Sequence, residues 1–191
     1  MTHRSHQPTH LTFWISKIPE LVWAPTVAGL LMLIVGAFGL AVHQPLIFPS
    51  LGPTAFLQAE LPQLPSSRLY NTIVGHLLGM GAGLLAVALL GASTAPSVLA
   101  TGELTPIRLW AAVLAIFLTL LAGLVLKASH PPAAATTLLF ALGGFQPTRH
   151  ETIVVTMGVL IVAVVGEVLR QLRVKATSLR CCHTNKINEK I

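Results

Sequence analysis

Four long apolar runs constrain the fold of this chain more than any other feature. They cover residues 21–42, 72–90, 107–126 and 152–172. An α-helix needs about 20 apolar residues to cross the hydrocarbon core of a bilayer. Only 9% of the residues are charged, whereas soluble domains carry about 25%. The pattern predicts an all-α, polytopic membrane bundle with four full transmembrane helices.

Two shorter apolar segments lie between the long runs, at residues 46–58 and 128–140. Each is too short for a comfortable span and is interrupted by prolines, Pro53 in the first and Pro131 and Pro132 in the second. Lipid does not tolerate unpaired backbone groups, so a broken helix at membrane depth must be buried in protein or face water. We therefore expect two short, Pro-broken half-helices at these positions.

The order of these elements repeats along the chain as long–short–long, in halves at about residues 21–90 and 107–172. A shift of 79 residues places Ser50 on Ser129. Broken helices in corresponding positions of two halves are typical of transporters built from repeats. The pattern predicts an internal duplication, with the transport site at the two breaks.

Polar segments flank the predicted membrane domain of residues 21–172. Residues 1–20 form an arm with an amphipathic stretch, which we expect at the membrane interface. Residues 173–191 form a basic tail, which the positive-inside rule assigns to the cytoplasm. Cys181 and Cys182 lie in this tail, where we expect free thiols because adjacent cysteines rarely meet disulfide geometry.

The charge pattern predicts a multi-pass protein of the inner (plasma) membrane with both termini cytoplasmic. Such a chain crosses the membrane an even number of times. If the short segments re-enter there are four crossings, and if they cross there are six. Residues 91–106 contain no lysine or arginine, which favours six, while the brevity of the short segments favours four. The sequence leaves this choice open.

The breaks contain residue types that start helices. Ser50 and Ser129 are good N-caps, and Gly52 would let the chain turn before the first short helix. A helix start has free N–H groups and a positive partial charge, so two facing starts form an anion site. The predicted substrate-binding residues are Ser50, Leu51, Gly52, Thr54, Ser129, His130, Ala133 and Ala134.

Titratable and basic residues near the breaks have supporting roles in this interpretation. His130 could donate a hydrogen bond or take up a proton near neutral pH, and His76 could carry a proton or form a hydrogen bond between helices. Lys127, Arg68 and Arg149 would raise the local concentration of anions. The alternatives are that the prolines are simple kinks and that the basic side chains extend to the interface.

Three blocks stand out in the sequence: FPSLGPTA at residues 48–55, NTIVGH at 71–76 and SHPPAAA at 129–135. In this order they resemble the HPP family of integral membrane proteins. The resemblance covers roughly residues 20–172. It implies a bundle usually described with four membrane helices and a transporter, of which a plastid member handles nitrite.

The predicted function is a membrane transporter for a small inorganic anion, with nitrite taken from the resemblance. A passive anion channel and a non-transporting structural or regulatory subunit remain the alternatives. We predict no enzymatic activity, no metal and no cofactor. The expected partners are the lipid bilayer and a small anion, and we expect no nucleic-acid partner. Glycines at positions 75, 79 and 83 form a smooth helix face, which favours a homo-oligomer, as a dimer or a trimer.

Overall fold

The structure, a computed structural model, describes residues 10–188 and gives side-chain surroundings for residues 14–178. The described residues are helical, without a β-strand, as the sequence predicts. The first nine residues of the predicted arm lie outside the described residues, and so do the side chains of Cys181 and Cys182. The helices are α1 (His10–Lys17), α2 (Glu20–Ala41), α3 (Leu51–Glu60), α4 (Leu69–Leu89), α5 (Val98–Thr101), α6 (Pro106–Val125), α7 (Ala133–Ala141) and α8 (Arg149–Asn188).

Four of the described helices are long and apolar enough to cross a membrane: α2, α4, α6 and the Arg149–Ser178 part of α8. Their mean hydropathies lie between 1.9 and 2.4. They coincide with the four predicted runs, and α3 and α7 coincide with the two broken segments. The predicted fold class, four full spans plus two short helices, is therefore confirmed.

The last helix does not end at the predicted boundary before residue 173, because Arg173 is buried against the N-terminal arm. Its guanidinium donates hydrogen bonds to the carbonyl oxygens of Ile15 at 2.8 Å and Ile18 at 3.1 Å. It also pairs with the carboxylate of Glu20 at 2.6 Å. The start of the basic segment is therefore part of the packed bundle, and α1 lies against α8.

Contacts between helix ends define one end of the bundle, which we call the terminal end. The backbone N–H of Leu69 donates to Glu167 at 3.0 Å, and Glu167 pairs with Arg170 at 2.7 Å as expected from their spacing. Arg170 also donates to the carbonyl oxygen of Pro62 at 2.7 Å. The start of α4, the end of α3 and the far part of α8 therefore lie together. The hydroxyl of Tyr70 adds the end of α6 by donating to the Leu126 carbonyl.

The opposite end, which we call the loop end, is organised by the buried Arg108 at the start of α6. Its guanidinium donates to the carbonyl oxygens of Ala95, Pro96 and Ala141, at 2.7, 3.2 and 3.1 Å. Residues 91–105 are thereby held against the end of α7. This loop, which lacks lysine and arginine, therefore lies at the opposite end of the bundle from both ends of the described chain.

The positions of the helix ends show that the chain passes between the two ends of the bundle six times. Helix α2 starts at the terminal end beside Arg173 and, with 22 residues, extends about 33 Å towards the loop end. Residues 42–50 return into the bundle, and α3 completes the way to the terminal end. In the second half, residues 127–132 and α7 run from the terminal end to the loop end. The short segments therefore pass through the bundle and do not turn back.

Each short helix packs between helices of both predicted halves. Helix α3 contacts α2 of its own half and α8 of the other, and α7 contacts α6 of its own half and α4 of the other. The order long–short–long and this exchange of neighbours are the same in both halves. A common origin of the halves stays a prediction.

The glycine face of α4 is covered by α7 of the same chain. A Cβ atom at Gly79 would lie 2.6 Å from the carbonyl oxygen of Ala133, and one at Gly83 would lie 2.9 Å from that of Thr137. The two helices therefore run in parallel with their backbones in near contact, as small residues allow. The glycine face is not available for the predicted homo-oligomer, whose interface would have to lie elsewhere.

We expect Gly79→Ala to destabilise the protein by about 1–3 kcal/mol, because the added methyl meets backbone atoms that cannot move aside. The matched control is Gly81→Ala on the same helix, where an added Cβ has no atom within 4 Å. Thermal unfolding in detergent checks both. Equal melting temperatures for the two variants would contradict the close packing of α4 on α7.

Six passages predict which surface positions share a side of the membrane. In a chain without Cys181 and Cys182, single cysteines replace Gln63, Ser93 or Lys175, and a membrane-impermeant maleimide is applied to cells. We expect the Gln63→Cys and Lys175→Cys variants to be labelled only after permeabilisation, and the Ser93→Cys variant in intact cells. Labelling of the Ser93 and Lys175 variants from the same side would contradict six crossings.

Candidate functional site

Five polar side chains meet inside the bundle and form what we call the polar cluster. They are no more than 5% exposed and comprise Ser50, Thr54, His76, His130 and Thr136. Ser50 Oγ lies 2.7 Å from Thr136 Oγ1, which lies 2.7 Å from His76 Nδ1. His76 Nε2 lies 2.8 Å from Thr54 Oγ1, which lies 3.2 Å from His130 Nε2. The five side chains are therefore joined in one continuous series of hydrogen bonds.

The two broken segments bring these side chains together. Ser50 directly precedes α3 and Thr54 lies one turn further on, so both side chains are on one face of the helix. Thr136 lies one turn into α7. His76 comes from the middle of α4, one residue after Gly75, whose missing side chain leaves room for His130. The starts of both short helices thus converge, as the sequence predicts.

The segment before α7 is fixed by polar contacts at both ends. The amide of Asn71 on α4 donates to the carbonyl oxygen of Ser129 at 3.1 Å. The ring nitrogen Nδ1 of His130 lies 2.7 Å from the carbonyl oxygen of Ser66. A carbonyl oxygen only accepts hydrogen bonds, so Nδ1 of His130 carries a hydrogen. The imidazole rings of His130 and His76 lie 4.9 Å apart.

The donors at this site are side chains and not the free backbone N–H groups that the sequence predicts. At the start of α7, the first three N–H groups donate to the carbonyls three residues earlier, at 2.9–3.1 Å. Pro131 and Pro132 have no N–H at all. Ser129 does not cap α7, because the helix begins at Ala133 and the side chain of Ser129 is exposed. The hydroxyl of Ser50 bonds to Thr136 and makes no capping bond.

The remaining predicted binding residues lie away from the cluster. Leu51 is fully buried in the apolar core. Gly52 is exposed within α3, its φ is not positive, and a Cβ there would have open space, so the turn before the helix does not require it. Ala133 and Ala134 contribute to a neighbouring cleft. Of the predicted binding residues, the cluster keeps Ser50, Thr54 and His130.

The predicted supporting residues divide in the same way. His76 is in the cluster, where it bonds two hydroxyls. Arg68 and Lys127 are exposed at the terminal end, and Arg149 is exposed at the loop end. Among the hydrogen bonds of the described side chains, none joins these three cations to the cluster. That these three cations attract anions towards the ends of the bundle stays a prediction.

A cleft of about 310 Å³ lies between α4, α6 and α7 and reaches the cluster at His130. Most of its lining is apolar, and Ser129, His130 and Thr119 supply polar side chains. His130 is therefore the member of the cluster that also faces open space. It is the point at which a solute entering from the side would first meet the buried donors.

A second polar level lies one turn closer to the terminal end. Gln58 follows Thr54 by one turn of α3, and Thr72 precedes His76 by one turn of α4. Both side chains are fully buried, with 3.5 Å between Gln58 Nε2 and Thr72 Oγ1. The side-chain oxygen of Gln58 has no donor among the described residues. Polar groups therefore continue from the cluster towards the terminal end between α3 and α4.

The sequence reasoning missed Thr136, Gln58 and Asn71. Thr136 and Thr137 are the only polar residues of the second short segment after its break, so a search one turn into each short helix would have found Thr136, as it found Thr54. Gln58 is the next residue on the polar face of α3. Asn71 begins the NTIVGH block of the family resemblance, but its position at the start of a span, where polar residues are ordinary, does not point to the site.

A family model described as HPP, transmembrane region, matches residues 15–178. The match includes every helix from α2 to α7 and the membrane part of α8. No curated protein and no solved structure matches the chain. Because the family model spans most of the sequence, the chain belongs to the HPP family of membrane proteins.

Proposed function

We propose that this protein transports a small inorganic anion across the membrane, with nitrite as the first candidate, and that it is not an enzyme. Membership of the HPP family supports a role in membrane transport. The observation that carries the proposal is the polar cluster between the starts of two half-helices. It combines three hydroxyls and two imidazoles, and no carboxylate among the described side chains bonds to it.

The chemistry of the cluster favours an anion over a cation. Hydroxyls and imidazole N–H groups donate hydrogen bonds to an anion, whereas Na⁺ or a divalent cation needs carboxylate or carbonyl oxygens. Helix α3 has ten residues and α7 has nine. The dipoles of both helices add positive partial charge at their N-termini, beside the cluster. A small anion fits this set of donors without an embedded lysine or arginine.

Binding would exchange hydrogen bonds and would not leave polar groups unpaired. In the described conformation the hydroxyls of Ser50 and Thr136 bond to each other. An anion that enters between them accepts these hydrogens, so each protein–protein bond is replaced by a charge-assisted bond of greater strength. The solute therefore needs to be small, since the two oxygen atoms are only 2.7 Å apart before it enters.

The packing of the short helices offers a way to open this closed cluster. Ser50 and Thr54 move with α3, and Thr136 moves with α7. Because α3 and α7 each lie between helices of both halves, a shift of one half against the other separates the two helix starts. Rocking of two repeats around a central site is the usual form of alternating access. The cleft reaches the site at His130, and the polar level at Gln58 continues from the site towards the terminal end.

The test is uptake of nitrite, nitrate, formate and chloride into proteoliposomes, corrected for protein-free vesicles. We expect nitrite uptake by the wild type, and at least a tenfold loss in Ser50→Ala and His130→Ala, because each removes a hydrogen-bonding group of the cluster proposed to bind the anion. The matched control is Thr156→Val, which removes a hydroxyl on α8 that bonds only the Thr152 carbonyl.

Transport by the control within twofold of the wild type would show that the losses are specific to the cluster. Unchanged uptake in Ser50→Ala and His130→Ala would contradict this site. A wild type that moves none of the four anions would contradict the function itself and favour a structural or regulatory subunit.

A further inference from the structure

The hydrogen bonds of the polar cluster have a direction, because one of its members has no choice of role. Ser66 accepts through a carbonyl oxygen, so His130 donates to it from Nδ1. In a neutral His130, Nε2 is then an acceptor, and the hydroxyl of Thr54 at 3.2 Å donates to it when it turns from the Ser50 carbonyl, its other acceptor at 2.9 Å. Thr54 must in turn accept from Nε2 of His76 at 2.8 Å.

The same reasoning fixes the remaining two bonds. When Nε2 of His76 donates, its Nδ1 accepts from the hydroxyl of Thr136 at 2.7 Å. The oxygen of Thr136 then accepts from the hydroxyl of Ser50 at 2.7 Å. When the Thr54 hydroxyl is turned to His130 in the neutral state, every hydrogen of the series therefore points from Ser50 towards His130.

The series can also be made in the opposite direction, with one additional proton. A proton that arrives at Ser50 displaces its hydroxyl hydrogen to Thr136, and Thr136 passes its own hydrogen to Nδ1 of His76. His76 releases the hydrogen of Nε2 to Thr54, and Thr54 passes its hydrogen to Nε2 of His130. Each group gains one hydrogen and loses one, except His130, which becomes an imidazolium. All distances in the series already suit both directions.

Thr54 has a second acceptor besides His130. Its hydroxyl donates to the carbonyl oxygen of Ser50 at 2.9 Å, one turn back on α3, so its single hydrogen turns from this carbonyl to take part in the series. After the proton has passed, Thr54 accepts from Nε2 of His130 and donates to Nε2 of His76, which has released its hydrogen.

We propose that the series from Ser50 through Thr136, His76 and Thr54 to His130 is a proton relay, and that the transported anion moves together with a proton. This proposal rests on the function proposed above. A bare anion among side chains no more than 5% exposed loses most of its hydration, which is costly without a compensating charge. A proton on His130 supplies that charge at the site itself.

Among the titratable groups near the site, the two histidines are the ones that can take up and pass on a proton within the cluster. The described titratable or charged groups on the elements packed around His130 are His76 and Tyr70 on α4, Arg108 and Lys127 at the two ends of α6, Glu60 on α3, Arg68 before α4, and, on α8, Arg149, His150 and Glu151 at the loop end and Glu167, Arg170, Arg173 and Lys175 at the terminal end. Among the described hydrogen bonds, only His76 is joined to His130 through the cluster. Glu167 and Arg170 neutralise each other at 2.7 Å.

The test measures protons and nitrite together in proteoliposomes that contain a pH-sensitive dye, with protein-free vesicles subtracted. For the wild type we expect about one proton per nitrite and a rate that a potassium diffusion potential does not change. Thr136→Val keeps the shape of the side chain and removes one link of the relay. We expect at least a tenfold fall in protons per nitrite, while nitrite uptake, lowered by the loss of one donor to the anion, still exceeds that of protein-free vesicles and now depends on the potential.

The matched control is Thr136→Ser, which keeps the hydroxyl and should keep the wild-type ratio within twofold. If Thr136→Val melts far below the wild type in detergent, the pair Thr54→Val and Thr54→Ser replaces it. Wild-type nitrite uptake without protons overturns the relay and leaves the transport function intact. A Thr136→Val variant that stays electroneutral, or that moves no nitrite at all, also overturns the relay. Absence of wild-type nitrite uptake overturns the proposed function and the relay together.

Discussion

Lipid offers no hydrogen-bond partners, so each polar group of a broken helix must find one within the protein. The structure meets this constraint by placing both breaks against each other. Glycines of α4 let α7 approach until His130 lies beside His76. The hydroxyls of Ser50, Thr54 and Thr136 then satisfy the imidazoles and one another. The position of the breaks, the close α4–α7 contact and the polar cluster therefore depend on one another.

The same constraint explains why this arrangement suits transport. A cluster that is bonded internally is stable when closed, and its bonds are of the kind that a small anion can take over. Its members are attached to α3, α4 and α7, which belong to different halves. The fully buried Gln58, with an oxygen free to accept, lies next in line towards the terminal end.

The spans were predictable because a run of 20 apolar residues has few other structures available to it in water or lipid. Ser50 and His130 were predictable because polar residues at a break stand out in an apolar segment. The predicted N-cap role of Ser129 was wrong, since the two prolines after it move the start of α7 to Ala133, while its role in binding a solute stays a prediction. The extent of α8 was not predictable because Arg173 is buried by residues about 150 positions away, and no local pattern records that contact. The number of crossings was not predictable for the same reason, because it follows from contacts between helix ends that lie far apart in the sequence.

The direct measurement of the central claim is the ¹⁵N spectrum of histidine-labelled protein in lipid, with and without nitrite. The account predicts His130 as the tautomer with hydrogen on Nδ1 when neutral, because the Ser66 carbonyl requires a donor. It also predicts that nitrite shifts the ring signals of His76 and His130 and leaves those of the exposed His43 and His150 unchanged. A neutral His130 with hydrogen on Nε2, or no response of either buried histidine to nitrite, would contradict it.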